Sequence, residues 1–401
     1  MVIDLLKNEI LKIKAWKEIQ ELKDRRGFLK AGLPRFDRLF GRDSLISAWQ
    51  LLNKSPGICQ ATLEVLCQYQ GKTINDDREE EPGKILHETD FEKAHRPPEY
   101  FPFPYYGSVD STPLFLILFG FYYKKTKDLK FLNSHWENIL KAAKWMEEYG
   151  DKDRDFFLEY QRKNPRGLFH QGWKDGFKNH LKIEPPVALS EVQGYQYRAL
   201  KETANLASVK GDLDLKKRME DRSRILKEKF NRKFWMEKEG YFALALDGKK
   251  EQKQTITSNP GHLLFTGILD EEKIEPVIEK LFSRELFTPF GIRNHSRDDA
   301  DFDPRSNHSG TVWPHENWVI AQGLKKLGRK KEYKKIKNAL LAAQAKIGFL
   351  PEFYGVIKEE IITDTSKKAC YPQAWASGAL FNFLSEFDRT PFRIPRPSFR
   401  W

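Results

Sequence analysis

The chain has few cysteines and no long apolar run, and both absences narrow what it can be. Cys59, Cys67 and Cys370 are the only three in 401 residues, too few for a disulfide framework and without the paired spacing of a zinc site. Such usage fits a reducing compartment, and Cys59 and Cys67, in an apolar helical stretch, read as core. The N-terminus is charged from Asp4 onward and lacks the apolar stretch of a secretion signal. No run approaches the length needed to cross a bilayer. The expected location is therefore cytoplasmic.

Several chemical signatures are missing as well. There is no glycine-rich phosphate loop, no basic tail and no Gly-x-Ser-x-Gly elbow for serine chemistry. The formal charge of +12 invites a nucleic-acid reading, but the lysines alternate with glutamates, as in KNEILKIKAWKEIQELKD near the start. That pattern is a solvated helix face, so neither nucleic acid nor membrane is an expected partner. DKDRD at 151–155 opens like a calcium loop, yet Phe156 stands where the loop needs glycine and no glutamate follows at the twelfth position. His308 and His315 lack a helical zinc spacing. No metal and no cofactor is expected, and the oligomeric state is left open.

What is present is helical periodicity. Apolar residues recur every three or four positions and mark twelve helices, near 2–24, 43–54, 57–70, 111–125, 130–149, 187–208, 211–232, 260–267, 270–283, 315–327, 329–346 and 372–386. Short strands are expected at 155–160 and 241–246. Without a repeated parallel-strand signature, a Rossmann sheet and a β/α barrel are excluded. An even number of helices suits antiparallel pairs closing into a ring of six inner and six outer helices. The expected fold class is all-α, an (α/α)6 toroid. It spans 1–401 as a single catalytic domain with no N-terminal β-sandwich domain.

Long connections at 72–110, 150–186 and 284–314 carry most of the Trp, His, Asp and Gly clusters, as functional loops do. GLFHQGWKDG, Gly167 to Gly176, sets Asp175 between an indole and a glycine. Trp173 offers a flat apolar face to a sugar ring, and a carboxyl beside it loses hydration, which raises its pKa. In FGRDS, an Arg42–Asp43 pair can hydrogen-bond vicinal hydroxyls, although Asp43 could instead cap the following helix. SNHSGTVWPHEN gathers His308, Trp313, His315 and Glu316, and GFLPEFYG sets Glu352 between Pro351 and Phe353. Glycoside hydrolysis needs two carboxyls across a ring, and Asp175 and Glu352 both sit in aromatic loops bounded by Gly or Pro.

The segments FGRDS, EPGKILHE, YYGSVDSTP, GWKDG, LSEVQGY, SNHSGTVWPHEN, LPEFYG and CYPQAWASGAL stand in an order that resembles amylo-α-1,6-glucosidase-like proteins. These relatives of glycogen-debranching glucosidases share the (α/α)6 toroid with trehalase and glucoamylase. The resemblance runs from about Gly32 to Leu380. It implies an inverting exo-acting glycoside hydrolase with Asp175 as general acid and Glu352 as general base. It also implies a sugar pocket lined by Arg42, Asp43, Trp173, Glu191, Gln193, His308, Trp313 and Trp375. Trp173 and Trp313 are expected to flank one sugar. Gly176 departs from the family, which often carries serine there. Two alternatives stand beside the α-glucosidase: hydrolysis of a small α-glycoside, such as a disaccharide or a glucosyl- or mannosyl-glycerate, and a non-catalytic sugar-binding toroid. The expected partner is an oligosaccharide or small glycoside substrate.

Overall fold

The computed structural model turns the periodic stretches into twelve α-helices and one 3-10 helix over the described residues, 2–92 and 100–386. In chain order, α1 is Val2–Glu21, α2 Gly41–Leu51, α3 Pro56–Gln68, α4 Ser111–Thr126, α5 Leu129–Ser134, α6 Trp136–Glu148, α7 Ser190–Lys210 and α8 Leu213–Lys233. The 3-10 helix Asn259–Phe265 follows, then α9 Glu271–Leu281, α10 Pro314–Lys326, α11 Lys330–Ile347 and α12 Ala374–Ser385.

Packing closes these into a ring. α2 lies on α4, α4 on α7, α7 on the 3-10 helix, that helix on α10, α10 on α12, and α12 back on α2. Each inner element carries one outer helix: α3, α6, α8, α9, α11 and α1 respectively. This is the (α/α)6 toroid. The burial patterns explain who sits where. Ser111–Gly120 of α4 is buried at every position, as a helix between two layers must be. α6 buries one stripe (Ile139, Ala142, Ala143, Trp145, Met146) and leaves its other face to solvent.

Because inner and outer helices alternate along the chain, all the inner ones run the same way. Their N-termini, and the loops that lead into them, gather at one end of the ring. Exposed peptide N–H groups and aligned helix dipoles make that end electropositive. It is where Asp43, Glu191 and Glu316 stand, each in a first helical turn.

Four expected elements differ. The helix expected at 130–149 is broken at His135 into α5 and α6. The one expected at 260–267 is a 3-10 turn in which Gly261 lets Ile320 pack so close that a Cβ would meet it at 2.8 Å. The strand expected at 155–160 does not form. There the carboxylates of Asp151, Asp153 and Asp155 accept from the amides of Phe156, Asp155 and Phe157, with Arg154 and Phe156 at positive φ. Side chains that satisfy the backbone locally take it out of a ladder. The expected strand at 241–246 is two short ones: Tyr241–Phe242 pairs with Trp235–Met236, and Ala245–Leu246 pairs with Ala188–Leu189 and Gln252–Lys253.

Candidate active site

Short antiparallel pairings hold the loops over the electropositive end. A bridge between His170 and Gly176 closes the acid-bearing loop, with Trp173 and Asp175 between its feet. Val312 bridges both Arg293 and Tyr354, which sets Trp313 beside the Glu352 loop. The strands Gly355–Ile357 and Glu360–Ile362 form a hairpin whose two turn residues, Lys358 and Glu359, both have positive φ, as the favoured two-residue turn requires. This hairpin leads the chain to Lys367 and Cys370.

These loops surround a cavity of about 320 Å³, lined among others by Arg35, Arg42, Asp43, Trp173, Asp175, His308, Trp313, Glu352, Phe353, Lys367 and Trp375. Of the ten residues expected at the site, eight reach it: Arg42, Asp43, Trp173, Asp175, His308, Trp313, Glu352 and Trp375. Glu191 and Gln193 do not line it. Gln193 is fully buried, and its amide serves Leu158 N, Leu158 O and Leu189 O. Glu191 is fully buried beside Asn259 and His262.

Asp175 is a third exposed and accepts from Arg42 Nη1 at 2.9 Å. Arg42 is itself held by the fully buried Asp110, whose Oδ2 accepts from Nε at 2.6 Å; Ser108 Oγ donates to the other oxygen. Burial raises the Asp175 pKa, and the Arg42 guanidinium opposes that rise. The Arg42 guanidinium is engaged through Nε by Asp110 and through Nη1 by Asp175. Asp43 does not cap α2, because Phe40 occupies that place without a side-chain bond. Asp43 accepts from Gln373 Nε2 at 3.2 Å, and burial pushes its pKa up to about 8.

Glu352 lines the same cavity and is 5% exposed. Its Oε2 accepts from Cys370 N at 2.9 Å and from Arg35 Nη2 at 3.5 Å. Burial pushes it up to about 7, and Asp175 adds like-charge repulsion. Among the described residues its Oε1 has no partner, nor does the ammonium of Lys367, which faces both carboxylates closely enough to favour their charged forms.

The aromatic walls differ from expectation in one respect. Trp173 and Trp313 meet edge to face at 5.7 Å, whereas a sugar clasped between two parallel indoles needs about 7–8 Å, twice a van der Waals contact. They form a corner, not a vice. His308 and Phe353 both stack on Trp313, at 5.5 Å and 4.7 Å between ring centres. The indole N–H groups of Trp173 and Trp375, and Nδ1 of His308, are buried with no protein partner among the described residues. Buried donors without partners beside a cavity are the groups that a bound hydroxyl would satisfy.

Gly176 is explained by packing. A Cβ there would meet the His180 ring at 2.9 Å, so the glycine makes room for a histidine at the cavity wall. Arg35, Lys367 and Asp110 were missed by sequence reasoning. Asp110 lies in YYGSVDSTP, where the polar run after two tyrosines was the available signal; Lys367 had none. In the one acidic cluster that could hold a metal among the described residues, Asp151, Asp153 and Asp155, Asp151 pairs with Arg222 at 3.2 Å and the Lys250 ammonium bonds Asp153 at 2.9 Å and Asp155 at 2.8 Å. Its charge is met by protein.

Comparison with known proteins fits this geometry. Residues 42–368 match the family described as the mannosylglycerate hydrolase MGH1-like glycoside hydrolase domain. The chain belongs to that family. Solved structures of similar fold include a GH63 mannosylglycerate hydrolase from Thermus thermophilus, in complex with Tris (TM-score 0.71, 14% identity) and with glucose (TM-score 0.70, 15% identity). Another is an uncharacterized conserved protein of the same organism (TM-score 0.72, 16% identity). Each likeness covers 94% of this chain and 100% of the other. At these identities the likeness speaks for the fold. No curated protein matches the chain in sequence. The MGH1-like glycoside hydrolases thus replace the amylo-α-1,6-glucosidases as the family, while glycosidase and toroid both stand. No helix of the described residues is long and apolar enough to cross a membrane.

Proposed function

We propose that the protein hydrolyses a small α-glycoside with an anionic aglycone, of the glycosyl-glycerate kind, with inversion at the anomeric carbon. The observation that carries this reading is the meeting of Asp175, Glu352 and an unpaired Lys367 on one small cavity. Asp175, from the loop after Trp173, protonates the leaving oxygen. Glu352 takes a proton from the water that attacks the opposite face, and its free Oε1 is the atom that would hold that water. Cys370 N and Arg35 fix the other oxygen, so the base is oriented before substrate arrives.

The cavity favours a small substrate over a polymer. Its 320 Å³ is at the low end for ligand sites. Lys367 and Arg35 provide cationic donors beside the carboxylates, where an aglycone carboxylate would find charge-assisted hydrogen bonds. Asp43, kept protonated at neutral pH by burial, and the indole N–H groups of Trp173 and Trp375 supply donors for ring hydroxyls. Arg42, held by Asp110, acts on Asp175: it fixes the carboxyl and limits the rise that burial gives its pKa, so that the proton leaves readily once a glycosidic oxygen accepts it.

The test is a panel of mannosyl-glycerate, glucosyl-glycerate, isomaltose, maltose and trehalose, with the first sugar product followed by NMR before mutarotation. The expected outcome is turnover of a glycerate glycoside and a β-configured product. Turnover confined to the neutral disaccharides would remove the anionic aglycone, and an α-configured product would remove inversion.

A further inference from the structure

Lys174 stands between Trp173 and Asp175, yet it faces away from the cavity and is 2% exposed. Lysine is among the residues least often fully buried. An ammonium taken from water costs several kcal/mol unless partners recover it, so an apolar side chain would be the simpler filler. The partners are specific. Nζ donates to Asn294 O at 2.5 Å, and the buried carboxylates of Glu316 and Glu191 favour its charge from further off.

Asn294 is a hub for the opposite wall of the site. Its Nδ2 donates to Asn307 O at 2.8 Å, its Oδ1 accepts from Gly310 N at 2.8 Å, and its own amide donates to Thr311 O. Asn307 O in turn accepts from Trp313 Nε1 at 2.7 Å. One carbonyl thus ties the His308–Trp313 wall to the loop that bears Asp175. The other connection of that carboxyl is Arg42, which comes from α2.

We propose that Lys174 is a positioning residue: its buried ammonium fastens the Trp173–Asp175 segment to the Asn294 hub, so that the acid and the aromatic corner keep one fixed geometry. It touches neither substrate nor reacting atoms. The proposal rests on Asp175 being the general acid. If the tether is lost, the acid drifts relative to the glycosidic oxygen, and misplacement of about 1 Å costs on the order of 100-fold. Proton donation to a poor leaving group suffers, while a leaving group that departs without a proton is spared.

The experiment compares wild type with Lys174→Met, which keeps length and removes charge, on a glycosyl-glycerate and on the matching α-glycosyl fluoride. Asn294→Ala, which keeps the carbonyl but cuts the hub from Asn307 and Gly310, is the second variant. The expected result for Lys174→Met is a kcat about 10- to 100-fold lower on the glycerate glycoside, KM within about threefold, and kcat on the fluoride within about threefold. Asn294→Ala should show the same bias. Equal loss on both substrates, loss on neither, or failure of both variants to fold would overturn the proposal, because each assigns Lys174 to folding or to nothing. Asp175→Asn is the control: if it lacks the leaving-group bias, the acid assignment has failed and not the tether.

Discussion

Replacing Glu352 by Gln should cost activity and increase stability, by an amount that depends on pH. Burial raises this carboxyl from an ordinary 4.5 to about 7. The unfolded chain ionises Glu352 near 4.5 and the folded one only near 7, so the folded state is relatively favoured below 4.5 and loses that advantage as pH rises through 7. At about 1.4 kcal/mol for each pH unit between 4.5 and about 7, the full penalty above pH 8 is roughly 3.5 kcal/mol. Glutamine is isosteric, accepts from Cys370 N as the carboxylate does, and pays no such cost. With an unfolding entropy of about 2 cal/mol/K per residue, a chain of this length should gain roughly 4 °C in Tm at pH 8–9 and little at pH 4.5. Differential scanning calorimetry across that range reads it directly.

The same substitution removes the base, and loss of a general base typically lowers the rate 100- to 10,000-fold. In the wild type, Glu352 must be ionised to take a proton, so kcat/KM should fall as pH drops below about 7. Asp43, Asp175 and Glu352 repel one another, so the apparent values belong to the group and not to one residue. A glutamine variant that is less stable at pH 8 than at pH 4.5, relative to wild type, would refute the burial argument. One that retains full activity would refute the base.

The remaining predictions use other parts of the site. Asp175→Asn should lose at least 100-fold on a glycosyl-glycerate but far less on an α-glycosyl fluoride, as steady-state rates on the two will show. Asp43→Ala should raise KM and lower kcat without lowering Tm at pH 7, because Asp43 is not the cap of α2 and holding its buried carboxyl protonated while the unfolded chain ionises it is itself a cost; a large fall in Tm with normal turnover would return it to a structural role. Lys367→Met should raise KM for a glycerate glycoside about 10-fold or more, the size of one charge-assisted hydrogen bond, with a smaller effect on a neutral glycoside; equal effects on both would exclude an aglycone contact.

How much of this was legible in the chain follows from what is local and what is not. The twelve helical stretches could be read from apolar spacing, since burial of a helix face leaves its mark every three or four residues. That the motif loops meet at one end could be read as well, because inner helices that run parallel leave their N-terminal loops no other place. The direction in which a given side chain points is another matter. The resemblance implied Glu191 and Gln193 in the pocket, but a place in the first turn of α7 does not fix which neighbours a side chain meets: Gln193 bonds Leu158 and Leu189, and Glu191 lies beside Asn259 and His262. Neither lines the cavity. Lys174 shows the converse: composition reads a lysine in Trp-Lys-Asp-Gly as turn chemistry at the surface, and only the three-dimensional arrangement brings Asn294, 120 residues distant, to its ammonium. Arg42 depends in the same way on Asp110 and Asp175, 68 and 133 positions away. No pattern within one segment encodes such a bond, because its energy lies in burial that several segments create together. The carboxylates themselves were legible for the opposite reason. Acids placed among aromatic residues and glycines conflict with packing, and a chain keeps such conflicts where a ligand resolves them.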